Sequence, residues 1–323
     1  IIRTILYFDV FDYPLTEKEI FENSAIEISY SEYRKELNSL LDSEFISQSG
    51  EFLLKIKESK KNISKRLKGN AGAQSMISLA QRYSQRISKF PFVEGVCISG
   101  ALSKNYYDEN GDIDYFIITK PGRLWICRTL LILRYKFLSK QERRHWCVNY
   151  FITSDDLKIP DQNSFTATEM AYLIPTINYD LYKNLMIENL WYKKHFPNKQ
   201  IDKGNLCLEK SSFFIFSLVE KLFSGKFGTF IDNFLLNLTL NHWRKKFPDL
   251  SEDDYNLQFR SRKNVCKRHS KGFQKKVLKL FKENIEGFQK YFSVYKLIDV
   301  FLYCYYKLFY HNIHIDIYHF LYF

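Results

Sequence analysis

The chain has 323 residues, of which 46% are hydrophobic and 17% aromatic, and its formal net charge is +12. This apolar content excludes a disordered chain, and the length is enough for two or three domains with a sizeable core. The six cysteines are dispersed and form no Cys-x-x-Cys pair. That pattern argues against a disulfide framework and a zinc site, and it indicates reduced thiols in a cytoplasmic protein.

Residues 1–56 predict a small unit of helices followed by a hairpin. An apolar helix opens the chain, and capping boxes begin at Thr16 and Ser29. Alternating residues over 45–54 predict a β-hairpin. This order of elements indicates a winged helix, in which residues 30–42 would be the DNA-reading helix. That helix mixes acids with bases, so its charge favours a packing or protein-interaction role over DNA contact.

The strand signal is concentrated in the middle of the chain, where apolar runs alternate with helical patterns. The elements predicted there are a linker or solvated helix over 57–70, a helix over 71–90, strands over 93–99 and 112–119 separated by a short helix, a helix over 125–138 and a strand over 146–153. After Pro160 the strand signal fades. From there the sequence predicts helices over 166–173, 178–194, 211–224, 228–243 and 271–290.

We therefore expect an α+β protein with a small mixed sheet at its centre. The final stretch is dense in Tyr, Phe and Ile but also carries charged residues, which makes it a poor membrane span and favours a packing helix followed by a disordered end. The sequence gives no indication of the oligomeric state. The predicted divisions are a winged-helix-like domain and linker over 1–68, a core over 69–160, a helical domain over 161–290 that contains the basic segment 260–282, and an aromatic-rich tail over 291–323.

Two short stretches in the core carry the chemistry. Ser99, Gly100 and Ala101 form a small-residue turn ahead of a helix, and such a turn leaves backbone N–H groups free for a phosphate. Asp112 and Asp114 stand at i and i+2 of a predicted strand, so their side chains point to one face. Paired carboxylates repel each other unless a cation lies between them. The two stretches together predict a metal-dependent nucleotide site.

This pattern resembles the nucleotidyltransferase superfamily related to DNA polymerase β. The superfamily includes minimal bacterial nucleotidyltransferases, aminoglycoside nucleotidyltransferases, CCA-adding enzymes and poly(A) polymerases. The resemblance covers residues 93–153 and implies a polymerase-β-like core between the winged helix and the C-terminal helical region. It also implies transfer of a nucleoside monophosphate from an NTP such as ATP to an acceptor, with release of pyrophosphate. The acceptor itself is not indicated.

The resemblance also assigns roles to residues of this chain. Asp112 and Asp114 would hold two Mg²⁺ ions. A lysine, either Lys104 or Lys120 after the strand, would neutralise phosphate charge. The phosphate contacts would come from the turn and the start of the helix, namely Ser99, Gly100, Ala101, Ser103 and Lys104.

The chain departs from the family pattern at two positions. Ala101 replaces the usual serine of the turn, which removes one hydroxyl donor. Asn149 occupies the slot of the third acid, and an amide cannot accept a proton near neutral pH. Loss of a general base typically costs roughly 10²–10⁴-fold in rate. Three alternatives follow: Asn149 suffices as a catalytic residue beside the metals, another acid (Asp155, Asp156 or Glu169) substitutes, or the protein is a catalytically degenerate binder of nucleic acid or a protein partner.

The basic segment 260–282 holds ten Lys and Arg residues and no Asp or Glu. Part of it has the spacing of a helix surface beside an apolar stripe. The excess of cations nevertheless favours an anionic partner, with RNA, DNA or the NTP as candidates. His269 is predicted to belong to this polar surface. His145 precedes the third strand, within reach of the site, but no motif supports a role for it.

Overall fold

The computed structural model describes residues 1–42, 45–55, 60–210, 214–268 and 272–309. Its helices are α1 (Ile2–Asp9), α2 (Glu17–Glu22), α3 (Tyr30–Asp42), α4 (Lys60–Ser88), α5 (Gly100–Ser103), α6 (Leu124–Lys136), α7 (Lys140–Arg144), α8 (Ser164–Ala171), α9 (Tyr179–Glu188), α10 (Phe214–Leu222), α11 (Lys226–Lys246), α12 (Glu252–Phe259) and α13 (Phe273–Phe309), with a 3₁₀-helix at Leu190–Lys194. Its strands are β1 (Leu15–Thr16), β2 (Ile46–Ser49), β3 (Phe52–Lys55), β4 (Val93–Ser99), β5 (Asp114–Thr119), β6 (Cys147–Thr153), β7 (Ile174–Ile177) and β8 (Val265–Lys267).

The strands form two sheets, which confirms the expected α+β class. The first sheet has the order β1-β3-β2 and is antiparallel. The second has the order β7-β4-β5-β6-β8. In it only β5 and β6 are parallel, while the other neighbours are antiparallel. The central sheet is therefore small and mixed.

The N-terminal unit contains the capping boxes and the hairpin that the sequence predicts. Thr16 and Glu19 cap α2 reciprocally, and Ser29 and Glu32 make the same exchange at the start of α3. Strands β2 and β3 pair across a turn in which Gly50 has φ +62°. The unit does not close on itself, because the apolar residues of α1 share one buried cluster with residues of α8 and α13.

The central sheet is covered on both faces, and the alternation of its strands sets which side chains face which layer. On β5, Tyr115 and Ile117 pack in the cluster that includes residues of α4, α6 and α11. Phe116 and Ile118 point the other way, into the cluster that includes residues of α8, α9 and the 3₁₀-helix. The sheet is thus the middle of three layers.

Several predicted boundaries are corrected by the structure. Residues 60–70, predicted as a linker or solvated helix, are helical and join the helix expected over 71–90 in the single helix α4, whereas residues 57–59 lie outside the described residues. The strand expected over 112–119 begins at Asp114. The fading of strand signal after Pro160 was misleading, because β7 and β8 lie beyond it. Both are short edge strands, and β7 contains Pro175. So few residues give little alternation, and the pairing partner rather than local sequence makes them strands.

The helix predicted over 271–290 and the start of the tail over 291–323 form one helix, α13. Residues 310–323 of the tail lie outside the described residues. No described helix combines the length and the apolarity that a membrane crossing needs. The cysteines with described side chains are free thiols: Cys97, Cys127, Cys147, Cys207 and Cys266.

Asn189 joins the end of α9 to the loop that follows β6, and its replacement by alanine is expected to destabilise the fold. The side chain is fully buried. Its Oδ1 accepts from the Ile159 amide at 2.7 Å and from Trp191 Nε1 at 3.0 Å. Its Nδ2 donates to the carbonyls of Leu157 and Leu185, both at 2.8 Å. Truncation leaves these buried groups unpaired, so Asn189→Ala should cost about 3 kcal/mol in the free energy of unfolding.

Urea unfolding followed by circular dichroism measures this cost. Asn110→Ala is the matched control, because Asn110 is exposed in a loop and such surface changes stay within about 0.5 kcal/mol. Equal unfolding free energies for the two variants would contradict the role given to Asn189.

Candidate active site

A cavity of about 810 Å³ lies where the central sheet meets the N-terminal unit, α8 and the start of α13. Its volume is within the range of small-molecule sites, about 300–1,000 Å³. One wall is polar and comes from the ends of β4, β5 and β6, and another is aromatic and comes from α1 and the residues just after it together with α8 and α13. The residues singled out from the sequence that line it are Ser99, Gly100, Ala101, Lys104, Asp112, Asp114, Asn149 and Glu169.

Gly100 sits where β4 ends and α5 begins, and no other residue fits there. Its φ is +67°, in the left-handed region that side chains disfavour. A Cβ at this position would lie 2.2 Å from Asp114 Oδ2. The cause is the register of the sheet, which pairs Ser99 directly with Asp114. The turn and the carboxylate are therefore in direct contact.

Asp114 is the first residue of β5 and the most perturbed acid of the cavity. Its pKa is raised to about 7, chiefly by burial and further by the charges of Glu169 and Asp112. A hydrogen bond from Cys147 and the charge of Lys104 oppose that rise. Asp112 precedes the strand and is exposed. The negative charge gathered here favours a cation.

Asn149 lies beside Asp114, as the sequence places it. Its Nδ2 donates to Asp114 Oδ1, and its Oδ1 accepts from Cys147 Sγ at 3.3 Å. In this arrangement the amide orients the carboxylate through a donated hydrogen bond. It does not offer a basic atom for a proton.

Glu169 is the one of the three alternative acids that lines the cavity. Its Oε1 lies 2.8 Å from Lys104 Nζ, which also donates to the Gly100 carbonyl at 2.8 Å. The lysine expected to neutralise phosphate is thus held between the turn and an acid of α8. Asp155 and Asp156 are exposed and lie away from the described lining.

Three other predicted candidates are not brought into the lining, and a fourth is not described. The Ser103 hydroxyl donates to the Gly100 carbonyl at 3.0 Å, within its own helix. Lys120 is exposed, beyond the opposite end of β5. His145 packs against the Tyr83 ring at 5.6 Å, and its pKa is lowered mainly by burial. His269 lies outside the described residues.

The described residues of the basic segment 260–282 do not form one continuous face, because the segment starts just after α12 and runs through β8 into the start of α13. Several of its cations pair with acids of this chain. These pairs are Arg260 and Lys267 with Asp161, Lys275 with Asp254, Lys279 with Glu283, and Lys282 with Glu286. Lys267 and Arg268 line the cavity. A nucleic-acid partner for the segment stays a prediction.

The aromatic wall of the cavity is not predicted by the sequence patterns. Tyr7, Phe8 and Phe11 of the N-terminal unit line it together with Phe165 and Phe273. One signal was available. The opening helix and the residues just after it are apolar on more sides than a single small sheet can cover, which is typical of a helix packed between two bodies.

The oxygen donors at the polar wall suit a metal ion that arrives with a nucleotide. Among the described residues, no three His, Cys, Asp or Glu side chains are grouped to hold a metal by themselves. Mg²⁺ is usually bound by one or two carboxylates plus substrate phosphates. Asp112 and Asp114 supply two carboxylates to the cavity that the Gly100 turn also lines. The residues present therefore fit a Mg²⁺–phosphate complex better than a protein-only metal site.

Comparison of the chain with protein-family models, with curated proteins and with solved structures gives no match. The chemistry of the cavity therefore rests on its residues and their geometry.

Proposed function

We propose that the protein is a Mg²⁺-dependent nucleotidyltransferase that moves a nucleoside monophosphate from an NTP to a small acceptor. The observation that carries this proposal is the contact between the Gly100 turn and Asp114, in a cavity that Asp112 also lines. A phosphate-binding turn and a carboxylate pair are the two parts that the reaction needs in one place.

The topology supports a polymerase-β-like core. A strand, a small-residue turn and a short helix precede a second strand that begins at Asp114, two residues after Asp112, and a third strand lies parallel to the second. For the N-terminal unit we propose a winged helix, on the element order α1-β1-α2-α3-β2-β3 and the sheet order β1-β3-β2. Its helix α1 lines the cavity, which favours a packing role for this unit over DNA contact.

In this proposal the turn at Gly100 holds the triphosphate through backbone N–H groups, and Asp112 and Asp114 hold Mg²⁺. Bound Mg²⁺ supplies charge neutralisation and lowers the pKa of the attacking hydroxyl. Asn149 is a positioning residue that fixes the Asp114 carboxylate. Lys104 contacts the turn and is the cation that would pair with a phosphate bound there. When it does so, its ion pair with Glu169 would break and leave the Glu169 carboxylate available.

The bonds exchanged are few. The acceptor hydroxyl oxygen bonds to the α-phosphorus, and the bond from that phosphorus to the bridging oxygen of pyrophosphate breaks. The hydroxyl proton passes to Glu169, and pyrophosphate leaves with the electron pair of the broken bond.

One observation favours a second candidate, a catalytically degenerate protein of the same fold that binds its ligand without turnover. The third-acid slot holds Asn149, whose amide donates to Asp114. Such a protein would bind an NTP, a nucleic acid or a protein partner and release no pyrophosphate.

Titration calorimetry with ATP, GTP, CTP and UTP tests the proposal. We expect at least one NTP to bind at least about tenfold more tightly with Mg²⁺ than with EDTA, because the carboxylates repel bare phosphates. Asp112→Asn should remove most of that difference, whereas Asp155→Asn, exposed and outside the described lining, should not. NTP binding that is indifferent to Mg²⁺ would refute the proposal. Binding without pyrophosphate release would favour the second candidate.

A further inference from the structure

A buried polar cluster lies on the β8 side of the cavity. Lys267 is 4% exposed, and its Nζ donates to Asp161 Oδ2 at 2.9 Å and to Gln274 Oε1 at 2.5 Å. Arg260 Nη2 donates to the other oxygen of Asp161 at 2.9 Å. Two cations thus share one carboxylate in a site where water is largely excluded. Burial of a charge without full compensation is costly, so the cluster favours one more negative charge.

The same cluster contains polar atoms without partners. Gln274 is 2% exposed, and its Nε2 has no partner among the described residues. Its orientation is fixed, because an ammonium only donates and Lys267 therefore takes Oε1. Tyr150 Oη and the Nε and Nη1 atoms of Arg260 are also buried without a partner in the described chain. Native proteins rarely leave such groups unpaired. Gln274 and Tyr150 line the cavity and their unpartnered atoms can donate, so an anion bound beside Lys267 would satisfy them.

The position of the cluster separates it from the phosphate turn. Lys267 pairs in register with Tyr150, whose ring stacks on Phe116 of β5. The sheet order β4-β5-β6-β8 places the turn on one side of the carboxylates and Lys267 on the other. β6 lies between β5 and β8, so the distance from β5 to β8 is two strand spacings, about 10 Å. A triphosphate held at Gly100 would leave this side of the cavity to a second molecule.

An apolar wall stands next to the cluster. Phe273 contacts Phe11 and Phe165, with ring centroids 6.4 and 5.9 Å apart. All three rings line the cavity, and Gln274 follows Phe273 directly in α13. A ligand that reaches the buried donors would therefore place its body against aromatic rings.

We propose that Lys267 and Gln274, with Lys267 held in place by Asp161, form an acceptor subsite that binds the anionic group, a carboxylate or a phosphate, of a small acceptor with an apolar or aromatic body. The acceptor role rests on the proposed nucleotidyl transfer. The anion subsite itself does not. The pKa of Lys267 is lowered chiefly by burial, and Asp161 opposes that lowering, which agrees with an ammonium that is short of negative partners.

The test uses the full chain without Mg²⁺ or NTP, and two probes: benzoate, an aromatic carboxylate, and inorganic phosphate. We expect saturable binding of at least one probe in titration calorimetry, and the stronger probe identifies the group. Lys267→Met should weaken binding by at least about tenfold, since it removes a hydrogen bond to a charged group. Lys263→Met is the matched control, because Lys263 belongs to the same basic segment but is exposed and outside the described lining.

The variant Gln274→Glu separates a loss of probe binding from a loss of the folded structure. Its carboxylate would replace the amide beside Lys267 and supply the missing negative charge, so this variant should remain folded by thermal unfolding yet lose the probe. The proposal is overturned if neither probe binds saturably, or if Lys263→Met weakens binding as much as Lys267→Met. Probe binding that depends on Lys267 in a protein without Mg²⁺-dependent NTP binding would keep the anion subsite and reject its acceptor role.

Discussion

Asp114→Asn is expected to lower Mg²⁺-dependent NTP affinity by at least about 100-fold. Removal of a residue that only supports a metal ligand costs up to about 100-fold, and Asp114 is proposed to be a ligand itself. The free energy of unfolding of the metal-free protein is expected to stay the same or to rise. The carboxylate is half-buried beside the charges of Glu169 and Asp112, and its pKa is raised chiefly by burial. A neutral amide of the same shape relieves both the burial of charge and that repulsion.

Calorimetric titration with NTP and urea unfolding measure the two effects on the same preparations. Asp155→Asn makes the same chemical change at an exposed position and should alter neither quantity. Asp114 is structural rather than functional if its variant loses stability and keeps Mg²⁺-dependent NTP binding.

Gly100→Ala is expected to abolish detectable NTP binding and to destabilise the fold by more than backbone strain alone. The left-handed conformation costs a residue with a Cβ roughly 1–2 kcal/mol. At this position the new Cβ would also lie 2.2 Å from Asp114 Oδ2. Relief of that clash moves either the turn or the carboxylate, and both belong to the proposed phosphate and metal site. Overpacking of this kind adds about 1–3 kcal/mol.

Gly122→Ala separates the two contributions. Gly122 has φ +64°, close to that of Gly100, and a Cβ there would meet nothing within 4 Å. It should therefore show the strain alone, with NTP binding intact. Equal losses of stability in the two variants, or retained NTP binding in Gly100→Ala, would contradict the close approach of turn and carboxylate.

The sequence predicted the parts of the fold that depend on short-range pattern. Apolar runs identified β4, β5 and β6, and the spacing from Gly100 to Asp112 and Asp114 placed three site residues in one cavity. Asn149 was also expected beside the carboxylates. These predictions succeeded because a strand orients its side chains with a fixed period and a sheet places neighbouring strand ends together.

The rest of the site depends on contacts between distant parts of the chain. The basic segment suggested a single anionic partner, yet Asp161, far away in sequence, neutralises part of it and Asp254 another part. Strand β8 is identified by its pairing with β6 rather than by its own residues. The burial of Lys267 and Gln274 follows from that pairing and from the packing of α13, which no local pattern encodes.

The sharing of a core between α1 and α13 also constrains how the protein is made. Asn284 Nδ2 donates to the Leu6 carbonyl at 3.0 Å, so residues near the two ends of the described chain meet. During synthesis the apolar side of α1 stays uncovered until α13, which begins only at Phe273, has also left the ribosome. Contacts of such sequence separation slow folding and leave apolar surface open to aggregation. We therefore expect nascent chains that end before α13 to need chaperone protection and to lack the ligand cavity.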